Sequence, residues 1–319
     1  MKLLVTGGTG FFGRALLRSW LQDEVCGVRV PEVTIVTRSP NSFVERYPEF
    51  SSISWLTLHK SNILDYESLP VNDFFTHILH AATESTVGPS LPALQQYDEI
   101  VNGTRNILEY AVKNNVKRVL LTSSGGVYGP QPDRLEKVPE SYLGIPDPLD
   151  PLSAYSMGKR AAEHLSSLYN DRFGLESVIA RCFAFVGEDL PLNVHFAIGN
   201  FIHDALYNQK INVAGDGTPV RSYMNQTDLA QWLLCILDKG VPGRAYNVGS
   251  DQAITIANLA YLVRDTLSPS KRVVFKNTAT TFQGRNVYVP DISAAKNDLN
   301  LEVTISLRES IGQFSRQSV

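Results

Sequence analysis

Two residues one helical turn apart, Tyr155 and Lys159, form the pattern that most directly suggests chemistry in this chain. If the segment is helical, a Tyr-xxx-Lys spacing places both side chains on the same face. A lysine ammonium beside a phenol lowers the phenol's pKa from about 10, so that the phenol can exchange a proton near neutral pH. The same spacing also occurs on ordinary exposed helices. By itself the pattern therefore fits either an acid/base pair or a solvated helix face.

A glycine-rich segment close to the amino terminus could hold a phosphate group. It follows the short apolar run Leu3-Leu4-Val5 and precedes a helical pattern that places Phe12, Leu16 and Trp20 on one face. Glycines at such a strand-to-helix turn let the backbone approach a pyrophosphate, whose charge then lies at the helix N-terminus. The order of strand, glycines and helix predicts a dinucleotide-binding loop. Its expected cofactor contacts are Gly7, Gly10, Phe11, Phe12 and Gly13.

The end of the next apolar run indicates which dinucleotide is bound. NAD-binding folds place an acidic residue there for the ribose 2′-hydroxyl, but this run ends in Val36-Thr37-Arg38-Ser39. Arg38 could receive a 2′-phosphate with Ser39 as a second donor, which favours NADP and leaves NAD possible. A solvated arginine is the alternative interpretation. Asn62 and Ile63 are candidates for the adenine edge, and Ala81 and Ala82 for close approach of the nicotinamide half.

Alternating strands and helices must position these residues. Buried-strand patterns recur through the first 180 residues, and helical periodicity runs from about Pro92 to Asn114 and from Ser153 to Phe173, before Gly174. The α/β pattern predicts a doubly wound parallel Rossmann-type sheet with a smaller C-terminal substrate-binding lobe. We expect residues 1–180 with a return segment, 224–250, to form the dinucleotide-binding domain, and 181–223 with 251–319 to form the nucleotide-sugar-binding lobe.

Composition and charge exclude several classes of protein. Of the 319 residues, 43% are hydrophobic and 19% charged, which is typical of a folded protein rather than a disordered one. A net charge of −3 supplies no overall field for nucleic acid or an anionic membrane. No apolar run approaches the roughly 18–20 residues of a membrane span, and the first residues resemble a strand rather than a signal peptide. We therefore expect neither nucleic acid nor membrane as a partner.

The cysteines and histidines indicate no disulfide framework and no metal site. Cys26, Cys182 and Cys235 lack CxxC spacing, as is typical of reduced thiols in a cytoplasmic protein. The six histidines show neither HxxxH nor HExxH spacing. His77 and His80, on or beside a predicted buried strand, are expected to be packed and hydrogen-bonded rather than catalytic.

Together with the motifs above, the segment Leu120–Gly129 makes the chain resemble the extended short-chain dehydrogenase/reductase family. Within it, the similarity is to the nucleotide-sugar epimerases, dehydratases and reductases. The resemblance covers essentially the whole chain and rests on four spaced motifs. It implies that Ser124 holds the substrate hydroxyl or carbonyl, that Tyr155 is the acid/base, and that Lys159 also binds the nicotinamide ribose.

The resemblance extends to the second lobe. Arg181–Gly187 resembles the segment joining the two lobes, although Ala184 stands where the family usually has Asn. The resemblance implies that Arg221 contacts the pyrophosphate of a nucleotide-diphosphate sugar, with Arg285 as a second diphosphate ligand and Asn200 as a further contact. Two arginines suit a diphosphate because each forms charge-assisted bidentate hydrogen bonds.

The loop after Ser124 narrows the reactions that the resemblance implies. Family dehydratases have Asp-Glu directly after the catalytic hydroxyl and sugar-acid decarboxylases have a Glu there, whereas this chain has Gly125 and Gly126. Hydride exchange at one carbon remains: NADPH-dependent 4-reduction of a 4-keto-6-deoxy nucleotide sugar in deoxysugar biosynthesis, for example for O-antigen, or 4-epimerisation. Arg38 favours the reductase, because the usual 4-epimerases retain NAD. A non-catalytic NADP-binding regulator is a third possibility.

The resemblance also implies an assembly state. The two long helices predicted from about Pro92 and Ser153 resemble the pair that builds a four-helix interface in family dimers. We therefore expect a homodimer.

Overall fold

The chain forms two compact units whose segments alternate along the sequence. The structure, a computed structural model, describes residues 1–22, 32–71, 73–83, 91–132, 134–192, 194–276 and 287–317. Unit 1 comprises Met1–Val127, Ile145–Cys182 and Ala230–Tyr246. Unit 2 comprises Tyr128–Gly144, Phe183–Leu229 and Asn247–Val319. Within the described ranges, we find no helix with the length and apolar character that a membrane crossing requires.

The helices and strands of the described residues are numbered in chain order. The helices are α1 Phe11–Leu21, α2 Pro40–Arg46, α3 Ala93–Lys113, α4 Ala154–Phe173, α5 Ala197–Tyr207, α6 Gln226–Lys239, α7 Ile256–Leu267, α8 Ser293–Leu299 and α9 Leu307–Gly312. The strands are β1 Lys2–Thr6, β2 Glu32–Thr37, β3 Leu56–Lys60, β4 His77–His80, β5 Arg118–Ser124, β6 Glu176–Cys182, β7 Phe185–Val186, β8 Lys210–Val213, β9 Val220–Arg221, β10 Met224–Asn225, β11 Ala245–Val248, β12 Ile254–Thr255, β13 Arg272–Phe275 and β14 Val287–Tyr288.

A seven-stranded sheet in the order β11-β6-β5-β4-β1-β2-β3 forms the centre of unit 1. The pairings from β6 to β3 are parallel. The central strands are apolar on both faces because helices cover both; Leu3, Leu4 and Leu120 are fully buried. The predicted α/β class and Rossmann-type sheet are confirmed. Because the strands are parallel, the residues that follow β1, β4 and β5 emerge at the same edge of the sheet.

The two long helices in unit 1 match the sequence prediction closely. Helix α3 is flanked by Pro92 and Asn114, and α4 ends at Gly174, whose φ of 66° is left-handed. Glycine suits that position because it has no Cβ to clash in the left-handed conformation. Ile100 and Ala162 from the two helices belong to one buried cluster with Leu121 of β5, so packing against the sheet fixes the facing sides of both helices.

Unit 2 contains several short sheets rather than one large one. Strand β7 pairs in parallel with β10, β8 with β13, and β9 lies between β12 and β14. A buried side chain, Asn247, ties distant segments of this unit together: its amide nitrogen donates to the carbonyls of Val138 and Asp291, and its oxygen accepts from the Tyr128 hydroxyl. The segment 128–144 is therefore fastened within unit 2.

The boundaries of the two units differ from those of the predicted domains. We expected residues 128–144, 224–229 and 247–250 to lie in the dinucleotide-binding domain and residues 181–182 in the other lobe. The first three segments belong to unit 2 and the last to unit 1. The bonds of Asn247 to Val138 and Tyr128 give the physical reason, and Val138 also exchanges backbone bonds with Val289 and Asp291. Such long-range pairing leaves no periodic signal in the sequence.

Candidate active site

The glycine loop between β1 and α1 packs closely on neighbouring backbone at the edge of the sheet. Gly7 has a φ of 71°, and a Cβ on it would lie 2.5 Å from the carbonyl carbon and oxygen of Ala81. A Cβ on Gly13 would overlap the backbone of Gly8. The N-cap residue of α1, Gly10, contributes no side chain to the helix end. Phe11 and Phe12, the first residues of the helix, are half-buried.

This loop fits the pyrophosphate of a dinucleotide. Helix α1 begins directly after Gly10, which has no side chain to cap it, so the N–H groups of this helix end can meet a phosphate. Gly7 packs directly on the Ala81-Ala82 peptide, so the phosphate loop and the segment after β4 lie together. The residues predicted to contact the pyrophosphate and the nicotinamide half therefore share one edge of the sheet.

The end of β2 is basic and exposed. Arg38 and Ser39 follow the strand, and the Ser39 N–H donates to the Thr37 hydroxyl at 3.3 Å. A second arginine of unit 1, Arg14 of α1, donates to the carbonyl of Thr9 and lies over the Tyr47 ring, 4.7 Å from its centroid. An acidic residue for a ribose 2′-hydroxyl is missing from positions 37–39. The binding of a 2′-phosphate by Arg38 and Ser39 therefore stays a prediction.

Residues 62 and 63 lie after β3, at the same edge of the sheet. The Asn62 side chain accepts from the Leu64 N–H at 3.1 Å, which holds it in a tight turn. The carbonyl of Ile63 accepts from the Asn106 side chain at 2.8 Å, so α3 fixes this turn. Their contact with adenine stays a prediction.

The predicted catalytic residues come from β5 and α4. Ser124 ends β5, and its hydroxyl accepts the Gly126 N–H at 3.0 Å. Tyr155 and Lys159 lie on one face of α4, with the Lys159 ammonium 5.9 Å from the centre of the Tyr155 ring. The three residues are therefore carried by elements that pack on each other in unit 1.

Lys159 is the buried charge of this site. Its ammonium group donates to the Thr122 carbonyl at 2.7 Å and to the Thr83 hydroxyl at 2.8 Å. Burial lowers the pKa of Lys159 to about 8, while the nearby Cys182 and Glu163 raise it. The sequence did not predict Thr83 as a partner of Lys159, although Thr83 directly follows the predicted Ala81-Ala82 segment.

A half-buried ion pair joins Glu163, one turn beyond Lys159 on α4, to Arg181 of β6. The carboxylate of Glu163 accepts two bonds from the Arg181 guanidinium, at 3.0 and 2.8 Å, and one from the Ser123 hydroxyl at 2.6 Å. It thereby connects α4 to β5 beside Ser124 and to β6. The four-residue spacing from Lys159 to Glu163 indicates in the sequence that both residues lie on one face of a helix. The partners of Glu163 cannot be inferred from the sequence.

The charge of Glu163 gives a prediction for the pH dependence of catalysis. A lysine ammonium is charged below its pKa, so catalysis that needs the charge of Lys159 falls as pH rises through about 8. Because Glu163 raises the pKa of Lys159, Glu163→Gln is expected to move this fall in kcat/KM to lower pH. At pH values well below the fall, kcat/KM should stay within about threefold of the wild type. Steady-state pH profiles measure this shift.

Asp171→Asn is the matched control, since Asp171 is an exposed carboxylate on the same helix. Its profile should overlay that of the wild type. An unchanged profile for Glu163→Gln would show that Glu163 does not influence the titration that limits catalysis.

Gly126 faces a hydroxyl next to the predicted acid/base. A Cβ on Gly126 would lie 2.6 Å from the Ser156 oxygen and 3.1 Å from the Ser124 oxygen. Any larger residue at position 126 therefore requires Ser156 to move. Two serine hydroxyls, not carboxylates, surround this position.

The predicted nucleotide-sugar ligands belong to unit 2. Asn200 lies on α5 and is half-buried. Arg221 ends β9, and its guanidinium donates to the carbonyl of Val220 at 2.8 Å. Arg285 and Cys26 lie outside the described residues. The role of these arginines and of Asn200 in substrate binding stays a prediction.

Comparison with known proteins agrees with this architecture. The model of the NAD dependent epimerase/dehydratase family matches residues 3–249. UDP-glucuronic acid decarboxylase 1 of Arabidopsis thaliana is 32% identical over 98% of this chain and 68% of its own length. UDP-glucuronic acid decarboxylase 1 of Danio rerio is 28% identical over 99% of this chain and 73% of its own length.

Solved structures show the same fold. A dTDP-glucose 4,6-dehydratase of Streptomyces venezuelae with NAD bound is 26% identical, with a TM-score of 0.82 over 99% of this chain and 96% of that one. A UDP-glucose 4-epimerase of Thermotoga maritima superposes with a TM-score of 0.83 over 100% of this chain and 99% of that one. At 22% identity, the epimerase supports the fold alone. Because the family model spans most of the chain and the glycine loop fits a dinucleotide, this protein belongs to the NAD-dependent epimerase/dehydratase family, whose members include enzymes acting on nucleotide sugars.

Proposed function

We propose that this enzyme is an NADPH-dependent 4-reductase of a 4-keto-6-deoxy nucleotide sugar. The observation that carries the proposal is the pairing of Ser124, Tyr155 and Lys159 with glycines at 125 and 126. The first three residues suit hydride exchange between a cofactor and one carbon. The glycines leave positions 125 and 126 without an acid or base for chemistry at a second carbon.

The bound dinucleotide supplies a hydride for the ketone carbon. The residues of this chain have three tasks beside it. Tyr155 gives its phenolic proton to the oxygen on carbon 4 as that oxygen becomes an alcohol. The Ser124 hydroxyl donates a hydrogen bond to the same oxygen and orients it. Lys159, held by Thr83 and Thr122, supplies the positive charge that favours proton loss from Tyr155.

Dehydration and decarboxylation are less well supported by this loop. The dehydratases of this family need a base that removes the proton from carbon 5 and an acid that protonates the departing oxygen of carbon 6. Gly125 and Gly126 supply neither, and a carboxylate side chain at 126 would require the Ser156 hydroxyl to move. Although several relatives are UDP-glucuronic acid decarboxylases, the glutamate that the family resemblance implies for such enzymes is missing from positions 125 and 126, which argues for another reaction in this chain.

Arg38 supports NADPH as the reductant, and unit 2 is the part of the chain to which we assign substrate recognition. An exposed arginine at the end of β2 suits the 2′-phosphate of NADPH. A nucleotide diphosphate would be bound by Arg221, with Asn200 contacting the sugar nucleotide. We also propose that the protein acts as a homodimer.

The reductase proposal is tested by measuring the consumption of NADPH and of the sugar in the same reaction. Purified enzyme with NADPH and a 4-keto-6-deoxy nucleotide sugar should consume both in equal amounts and form NADP⁺ and the 4-hydroxy sugar. Absorbance of NADPH and chromatographic separation of the sugars measure this stoichiometry. UDP-glucose, UDP-galactose and UDP-glucuronic acid serve as the comparison substrates.

Other outcomes identify other reactions. Interconversion of UDP-glucose and UDP-galactose without net use of NADPH would identify a 4-epimerase. Release of CO₂ from UDP-glucuronic acid would identify a decarboxylase. Either result would overturn the reductase proposal while leaving the roles of Tyr155 and Lys159 open to separate tests.

A further inference from the structure

His80 is a buried imidazole between the phosphate loop and helix α3. It is the last residue of β4 and pairs with Thr6, the last residue of β1. Its Nδ1 lies 2.7 Å from the Thr6 hydroxyl oxygen, and its Nε2 lies 3.2 Å from the Thr104 hydroxyl oxygen on α3. The ring therefore bridges two strand ends and a helix at the edge of the sheet where the dinucleotide is expected.

The imidazole is neutral. Burial, together with the charge of Lys159, lowers the pKa of His80 to about 3. A neutral imidazole has one N–H donor and one nitrogen acceptor. Which nitrogen carries the proton decides what each neighbouring hydroxyl can do.

The contacts of the Thr6 hydroxyl indicate where that proton lies. Its oxygen accepts the Ala82 N–H at 3.2 Å. Its own proton needs an acceptor, because Thr6 is fully buried and buried hydroxyls are hydrogen-bonded. The Nδ1 of His80, at 2.7 Å, is in position to accept it. The proton of the imidazole then lies on Nε2, where it is donated to Thr104.

We propose that His80, as the Nε2–H tautomer, is a positioning residue that orients the Thr6 hydroxyl and thereby holds the segment Ala81–Thr83 against the dinucleotide. The hydrogen bonds run from His80 through Thr6 to the Ala82 N–H. One residue later, the Thr83 hydroxyl accepts from Lys159. The proposal rests on dinucleotide binding in unit 1 and is independent of which sugar is reduced.

The tautomer can be observed directly in the wild-type protein. In a two-bond ¹H–¹⁵N correlation spectrum of protein labelled with ¹⁵N-histidine, His80 should show an unprotonated Nδ1 and a protonated Nε2 between about pH 6 and about pH 9. The signals are assigned by their loss in His80→Asn. An Nδ1–H tautomer, or an imidazolium in this range, would overturn the proposal.

Two substitutions of His80 distinguish a role in positioning Thr6 from a role in packing alone. Asparagine can place its oxygen near the position of Nδ1 and accept the Thr6 proton, whereas glutamine reaches the position of Nε2 and leaves Thr6 without its acceptor. His80→Asn should therefore keep NADPH affinity within about threefold of the wild type, and His80→Gln should weaken it about tenfold. If His80 only filled space, His80→Gln would bind NADPH more tightly than His80→Asn, because glutamine fills more of the space of histidine.

The same pair of substitutions at His77 provides the matched control. His77 lies at the other end of β4 and bonds the Thr76 hydroxyl at 2.8 Å. Both His77 variants should bind NADPH like the wild type. Affinity is measured by titrating the fluorescence of NADPH and, separately, of NADH without any sugar. The order of the two His80 variants is read from whichever cofactor the wild type binds, so failure of the reductase proposal does not affect the result. Equal or tighter binding by His80→Gln than by His80→Asn would contradict the positioning role.

Discussion

Tyr155→Phe is expected to lower kcat for NADPH-dependent reduction by at least about a hundredfold, the usual scale for a positioned acid or base. The substitution removes the phenolic oxygen and little else. Tyr155 lies on α4 one turn before Lys159, whose ammonium is anchored to Thr83 and Thr122. The lysine and the helix should therefore stay in place. Dissociation constants for NADPH and the sugar should remain within about threefold of the wild type.

Single-turnover and steady-state rates, with cofactor binding measured separately, test this expectation. Tyr169→Phe is the matched control, because it makes the same change on the same helix at a hydroxyl that bonds Glu109. Its kcat should equal that of the wild type. If Tyr155→Phe turned over at a near-normal rate, another group would have to donate the proton.

Arg38→Ala is expected to weaken NADPH binding by about ten- to a hundredfold and to leave NADH binding unchanged. A hydrogen bond between a guanidinium and a phosphate contributes roughly 1.5–3 kcal/mol, which corresponds to that range in affinity. Arg38 lies exposed after β2, where its removal should leave the buried strand residues in place. The wild type should bind NADPH more tightly than NADH for the same reason.

Fluorescence titration with both cofactors measures the preference. Arg172→Ala, an exposed arginine at the end of α4, controls for a general loss of positive charge. It should bind both cofactors like the wild type. An equal loss of NADPH and NADH in Arg38→Ala, or tighter NADH binding by the wild type, would assign cofactor selection to other residues.

The sequence by itself determined the fold class and the location of the glycine loop. Each signal was local: apolar runs marked strands, helical periodicity marked α3 and α4, and the glycines of residues 7–13 lay between β1 and α1. The spacing of Tyr155 and Lys159 also placed them on one helix face correctly. Such features follow from the period of the chain and from the steric limits of single residues, so they need no knowledge of distant partners.

The tertiary structure decided the contacts of the buried polar groups. Lys159 bonds Thr83, which is 76 residues away, and His80 lies beside Thr6, which is 74 residues away. Periodicity tells which face of an element is buried but not which side chain lies opposite. Only the order of strands in the sheet brings the ends of β1, β4 and β5 together. Burial then favours a partner for each polar group, which accounts for the bonds of Lys159 to Thr83 and Thr122 and is the basis on which we place the His80 proton on Nε2.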